Sequence, residues 1–326
     1  MDFLYPLKFE PIFKEKIWGG NKLNTILGKD LYQDKKIGES WEISGVKDNI
    51  SVVSNGQLAG NNLQELVEIY MGDLVGDKVF EKFGIEFPLL VKFIDANKVL
   101  SIQVHPDDEL ARKRHNAFGK TEMWYIVQAD TNSDIITGFK QEINKEQYQK
   151  HFREGQLTQI LNIENAEAGD VFFIPAGRVH ATGKGILLAE IQQTSDITYR
   201  IYDWDRKDKN GNSRELHTEL ALDAIDFSTY DNYKTPYKKT KNQSVSIAEC
   251  KYFRTSILDF NKPIEKDYSL IDSFNIIMCL KGGLLLYYKN DKEQVSPGET
   301  VLIPASLDNV IIEPLGESKI LEVYIP

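Results

Sequence analysis

The sequence predicts a mainly β protein built from two related β-barrels, the first interrupted by a small helical insertion. Three observations point there. Short runs rich in Val, Ile, Leu, Thr and Tyr recur between Gly, Pro and Asp turns, and long helical patterns are few. The stretch GDVFFIPAGRVH (169–180) is echoed by GETVLIPASLDN (298–309), 129 positions later. Two copies are too few for a solenoid, so the echo marks two similar barrels. Finally, 326 residues with 41% hydrophobic content suffice for two units with substantial cores and no disulfide support.

Taken in order, residues 62–84 carry the first helical pattern. Asn62 and Glu65 form a capping-box pair, and Leu63, Leu66, Val67 and Tyr70 share one face. Gly72 should end that helix, with DKVFEKF as a second short one. FPLLVKFIDANKVLSIQVHP reads as two strands joined by a turn at 95–98, and DDELARKRH as a charged helix. TEMWYIVQA and SDIITGF are strand-like, INKEQYQKHFREG is helical, and TQILNIENAEAG leads into the first echoed turn. ILLAEIQQTSDITYRIYDW returns to strand, TELALDAIDF is a short helix, and several short strands surround the second echo. Hydrophobicity falls and positive charge rises over 230–243, which marks a linker. The expected division is a first barrel domain over 1–235, with helical insertions near 62–84 and 107–116. A second barrel domain follows over 240–326.

Bulk properties exclude several functions. The two cysteines, Cys250 and Cys279, have no CxxC spacing, against both a disulfide framework and a cysteine-rich metal site. The formal charge is −10, and no Lys/Arg run is interleaved with aromatics, so no nucleic-acid partner is expected. An anionic small molecule remains compatible if its site is locally basic. Neither a signal-peptide run nor 18 consecutive apolar residues occur. The expectation is a cytoplasmic protein with no membrane partner.

The chemistry-bearing residues begin in SIQVH (101–105). Strand alternation puts Gln103 and His105 on one face and Ile102 and Val104 on the other. Polar groups on an inward face need partners, and a metal is one. Glu122 opens the β-prone segment EMWYIV, where a buried carboxylate is costly unless paired or metal-bound. His180 closes a G-x5-P-x-G-x2-H pattern set by Gly169, Pro175 and Gly177, which resembles the second signature of the cupin barrel. Two His, one Glu and a Gln amide oxygen suit zinc, and also iron or manganese. His115 and His151 read as solvated helix residues, and His217 as at most structural. In the second echo, Asn309 stands where the first has His180.

These residues resemble a known family, the type I mannose-6-phosphate isomerases or phosphomannose isomerases, and most closely their shorter bacterial members. The resemblance rests on KIWGG (16–20), GESWEIS (38–44), FPLLVKFIDA, LSIQVHPDD, GKTEMWYI, IPAGRVHATG and TYRIYDWDR (198–206). It implies two cupin-type (jelly-roll) barrels and one zinc per chain held by Gln103, His105, Glu122 and His180. It also implies catalytic roles for Arg200 and Lys120, and substrate-binding roles for Ser101, Lys98 and Asp196. The implied reaction interconverts mannose 6-phosphate and fructose 6-phosphate by proton transfer through an enediol or enediolate. Two competing readings use the same barrel: an iron cupin oxygenase, which the Gln ligand, Lys120 and Arg200 disfavour, and a non-catalytic sugar-phosphate-binding protein.

Overall fold

The structure is a computed structural model, described over residues 4–31, 35–207 and 210–326. In chain order the strands are β1 (Leu7–Lys8), β2 (Ile12–Gly20), β3 (Ile37–Ser44), β4 (Leu89–Ala96), β5 (Ile102–Val104) and β6 (Glu122–Ala129). Next come β7 (Asp134–Phe139), β8 (Leu161–Asn165), β9 (Val171–Ile174), β10 (His180–Thr182), β11 (Ile186–Gln193) and β12 (Tyr199–Tyr202). The second half holds β13 (Val245–Glu249), β14 (Arg254–Phe260), β15 (Ile264–Asp267), β16 (Asn275–Lys281) and β17 (Leu284–Tyr288). It ends with β18 (Asp291–Val295), β19 (Thr300–Ile303), β20 (Asn309–Pro314) and β21 (Ser318–Tyr324).

The expected mainly β fold is what forms. In the first half a six-stranded sheet, β2-β3-β4-β11-β6-β9, is accompanied by a five-stranded one, β12-β5-β10-β7-β8. The second half repeats the plan as β1-β19-β16-β21-β14-β13 and β15-β20-β17-β18. Strand for strand, β3-β4-β11-β6-β9 corresponds to β13-β14-β21-β16-β19, and β5-β10-β7-β8 to β15-β20-β17-β18. Both echoed turns leave the corresponding strands, β9 and β19. Unpaired sheet edges invite association and are covered. The β19 edge is covered by β1, with Leu7 opposite Leu302, and the β9 edge by a bridge from Phe172 to Lys234.

The largest apolar cluster takes side chains from both six-stranded sheets, including Val91, Tyr125 and Ile191 from one and Ile276, Met278 and Val323 from the other. These sheets therefore share a core, with Phe87 and Phe274 in contact at a centroid distance of 4.7 Å. Into the same core pack α2 (Leu63–Tyr70), α3 (Gly72–Val75) and α4 (Asp77–Phe83), following the short α1 (Lys22–Thr25). The expected Asn62–Glu65 capping box is present. The first helix ends one residue earlier than expected, at Met71, where φ turns positive, and an extra turn of helix follows. Gly76, at φ +92°, ends that turn; a side chain there would meet the Asp272 carbonyl at 2.5 Å. On the outer face of the five-stranded sheet lie α5 (Asp108–His115), α6 (Lys145–Arg153) and α7 (Thr218–Leu222), all three expected from the sequence.

Sequence patterning assigned no strand to β2 or β3, whose mixed charged and apolar residues hide their alternation. The stretch 230–243 forms no helix or strand, yet it is bonded to the first barrel. Tyr233 Oη donates to the Phe139 carbonyl at 2.8 Å, Thr235 N–H to Val171 at 2.8 Å, and Tyr237 Oη to Gly169 at 2.8 Å. Among the described residues, no helix is long and apolar enough to cross a membrane.

Candidate metal centre

Antiparallel pairing assembles the site. His180 on β10 lies opposite Gln103 on β5, and Glu122 opens β6 in the other sheet. Alternation turns Gln103, His105, Glu122 and His180 into the barrel interior. Glu122 Oε2 is 3.5 Å from His105 Nε2, and Glu122 Oε1 is 3.3 Å from His180 Nε2. One ligand atom from each of these three residues falls within 4.8 Å of the others, and all three residues are buried. Gln103 Nε2 lies 3.2 Å from His180 Nε2, so rotating this amide brings its oxygen to the same place.

The histidines are held in one tautomer. His105 Nδ1 is 2.9 Å from the Ile197 carbonyl and His180 Nδ1 is 2.8 Å from the Arg178 carbonyl. A carbonyl only accepts, so each Nδ1 carries the proton and each Nε2 turns a lone pair toward Glu122. His105 Nε2 and both Glu122 oxygens are buried without a hydrogen-bond partner. Burial, reinforced by Glu190, pushes the Glu122 carboxyl up to about 8. Burial pushes His180 down to about 3, and His105 also well below its ordinary value. Three buried acceptors without a matching donor make a costly set. A divalent cation matches it, since it would restore the carboxylate charge and take up the free lone pairs.

Behind these side chains runs a buried chain of charges that sequence reading assigned no role. Trp124 stands edge-on to His180 at 5.3 Å and donates its indole N–H to Glu190 at 2.9 Å. Glu190 pairs with Lys92 at 2.8 Å, and Lys92 lies 3.9 Å from Glu39. Glu39 accepts from the Trp41 indole at 2.7 Å and meets Lys16 at 3.0 Å. The available signal was a charged residue at an inward position of an otherwise apolar strand, as in LLVKFIDA and ILLAEIQQ. Burial by itself would raise the Glu39 carboxyl, but Lys92 and Lys16 outweigh it and hold the group at about 2. A folded-state value below the unfolded one contributes stability that is present above about pH 4.3 and lost as pH falls toward 2. Urea unfolding of the metal-free protein at pH 6 and pH 3 should therefore show a loss about 2 kcal/mol larger in wild type than in Glu39→Gln. Equal losses would remove Glu39 from the ion-pair chain.

The remaining expected site residues divide. Lys120 is buried, with Nζ 3.9 Å from Glu122 Oε2, and burial followed by Lys92 lowers its ammonium. Arg200 lies opposite Gln103 across the β12–β5 pair, which places the two side chains on one face about 5 Å apart at Cβ. It makes no ion pair with Asp196; Nη1 donates to the Glu215 carbonyl at 2.8 Å. His217, which looked bland, holds Arg200 instead: its Nδ1 accepts the Arg200 N–H at 3.2 Å and its own N–H returns to the Arg200 carbonyl at 2.7 Å. Exposed His115 still places Nε2 2.7 Å from Tyr199 Oη. Ser101 is buried on the Gln103 face. Exposed Asp196 lines a cavity of about 820 Å³, with Lys47, Phe87, Arg112, His115 and Ser195 also in its wall. None of the four ligand candidates lines that cavity. Its wall includes the segment 194–196, which runs directly into Ile197, the residue bonded to His105. Lys98 is exposed in the turn after β4, and among the described residues its ammonium makes no ion pair or hydrogen bond.

The second barrel has different groups at the matching positions. Asn275 lies opposite Ile303 as Glu122 lies opposite Ile174. Asn309, which sequence alignment sets against His180, is exposed; the inward residue of β20 is buried Val310, opposite Lys266. The Lys266 ammonium is 2.6 Å from Glu322 and 2.6 Å from Ser244 Oγ, so this interior supplies its own cation. Among the described residues, His105, Glu122 and His180 form the one group of three or more His, Cys, Asp or Glu side chains that could hold a metal.

Two joined jelly-roll barrels, one enclosing a His–Glu–His set beside a buried lysine, define a metal-capable protein of the cupin type. Residues 6–121 match the catalytic domain of phosphomannose isomerase type I. The chain is 35% identical over 318 residues to mannose-6-phosphate isomerase ManA of Bacillus subtilis, covering 96% of this chain and 97% of that one. It is 41% identical over 220 residues to the mannose-6-phosphate isomerase of Streptococcus mutans, covering 68% and 67% respectively. The crystal structure of the mannose 6-phosphate isomerase from Bacillus subtilis superposes with a TM-score of 0.88 at 32% identity, over 98% of this chain and 99% of that one. The chain belongs to the type I mannose-6-phosphate isomerase family, and it is an isomerase.

Proposed function

We propose that the protein interconverts mannose 6-phosphate and fructose 6-phosphate by moving a proton between C1 and C2 through an enediolate. The observation that carries the chemistry is the buried convergence of Glu122, both its oxygens unpartnered, with two histidines whose tautomers are fixed. Gln103, His105, Glu122 and His180 would hold zinc, one per chain. When bound, zinc supplies Lewis-acid polarisation of a sugar oxygen. Arg200 stands on the same face, where a guanidinium that stays charged stabilises oxyanion character as it develops. Lys120, with its ammonium lowered by burial, is suited to give or take a proton at a substrate oxygen. Ser101 and Asp196 provide polar contacts on the approach, and the first half of the chain carries the reaction. The second barrel is metal-free and shares the core that supports the first.

The zinc-loaded chain, given mannose 6-phosphate, should form fructose 6-phosphate in a coupled assay and contain about one zinc per chain. Absence of product from fully loaded protein would overturn the activity. Two zinc ions per chain would overturn the assignment of the second barrel.

A further inference from the structure

We propose that Arg178 is a positioning residue through which the segment joining the two barrels holds the metal ligand His180 in place. The inference rests on the metal reading above.

The turn between β9 and β10 touches both histidines. Gly177 N–H donates to the His105 carbonyl at 2.9 Å, and the Arg178 carbonyl receives His180 Nδ1–H at 2.8 Å. Gly138 N–H then fixes the Val179 carbonyl at 2.7 Å. A movement of about 1 Å at Arg178 would break the bond that sets the His180 tautomer and ring plane.

What prevents this movement comes from the joining segment. The Arg178 guanidinium donates to the Phe173 carbonyl at 2.8 Å and lies over the rings of Tyr230, at 4.4 Å, and Tyr233, at 5.2 Å. Both rings are fixed. Tyr230 Oη donates to Asp226 at 2.6 Å, and Tyr233 Oη to the Phe139 carbonyl at 2.8 Å. Asp226 N–H closes the loop on the Gly177 carbonyl at 2.8 Å. Further along, Lys234 pairs with Asp170 at 2.7 Å. Residues 226–237 thus grip the 169–178 turn along its length.

Packing alone does not demand a guanidinium here. The echoed turn of the second barrel carries Leu307 at the corresponding sequence position, 3% exposed, and that turn forms beside a barrel with no matching ligand set. The cation between two tyrosines is the addition made where a histidine must be aimed. Outer partners of metal-bound histidines typically contribute 10–100-fold to metal affinity.

The test follows zinc release from the loaded, full-length protein into excess chromophoric chelator. Arg178→Leu should release zinc roughly 10–100-fold faster than wild type. Its metal-free form should keep the wild-type circular dichroism. Tyr230→Phe, which keeps the ring face, should release zinc within about twofold of wild type. Should Arg178→Leu fail to fold, the half-exposed Tyr230→Leu decides, with an expected acceleration of roughly tenfold. A folded Arg178→Leu, or in its place a folded Tyr230→Leu, that loses zinc at the wild-type rate overturns the proposal. A wild-type protein that takes up no zinc fails one step earlier, at the metal reading, and removes the proposal with it.

Discussion

Glu122→Gln is expected to lose its zinc and, with it, turnover by roughly three orders of magnitude or more. Glu122 is the one carboxylate in the set, and both its oxygens face histidine lone pairs. An amide would keep the shape but not the charge that balances a divalent cation, and its NH2 would turn a donor into the space a metal occupies. Metal polarisation of a reacting oxygen contributes several kcal/mol, and each 1.36 kcal/mol is tenfold in rate. The same substitution removes a buried carboxylate whose ionisation is opposed by burial and by Glu190. The metal-free variant should therefore unfold at the same or higher urea concentration than the metal-free wild type. Zinc should stabilise the wild type by ligand linkage and leave the variant unchanged. Calorimetry with and without zinc, beside a coupled assay, checks both halves. A variant that keeps stoichiometric zinc and more than a tenth of wild-type turnover would falsify the ligand assignment.

Arg200→Ala should do the reverse: retain zinc and lower kcat by about 10²–10³-fold, the usual effect of deleting one preorganised donor to a developing oxyanion. The register with Gln103 puts Arg200 on the face of the ligand candidates, and its guanidinium is bonded to the Glu215 carbonyl rather than to any of them. Lysine at this position should restore little, because a flexible ammonium does not reproduce a planar fork. Truncation also frees the Glu215 carbonyl, so zinc content and unfolding midpoint must be read on the same preparation. Wild-type kcat in a folded, zinc-loaded Arg200→Ala would exclude this residue from the chemistry.

Much of this site is legible along the chain because local rules carry it. Strand alternation aligns Gln103 with His105, and the Gly169–Pro175–Gly177 turn delivers His180 to the start of a strand. Other parts are not legible because their partners are distant. Lys92 meets Glu190 and Glu39 only after β4 is inserted between β3 and β11. Alternation hints that each faces inward but says nothing about which strand lies beside which. The same limit explains Asn309: matched by sequence to His180, it lies outside because the strand after the second turn is set one residue later in register.

By itself, then, the order of residues determined the repeated barrel, the helices at 62–84 and 107–116, and the types of side chain available to clasp a cation. Those outcomes depend on spacings of a few residues, which backbone geometry reads directly. Tertiary structure decided which charges share the interior, that His217 holds the Arg200 backbone, and that the joining segment clamps Arg178. Each is a contact between residues far apart in the chain, settled when two sheets bury a common core and leave every polar group inside to find what partner it can.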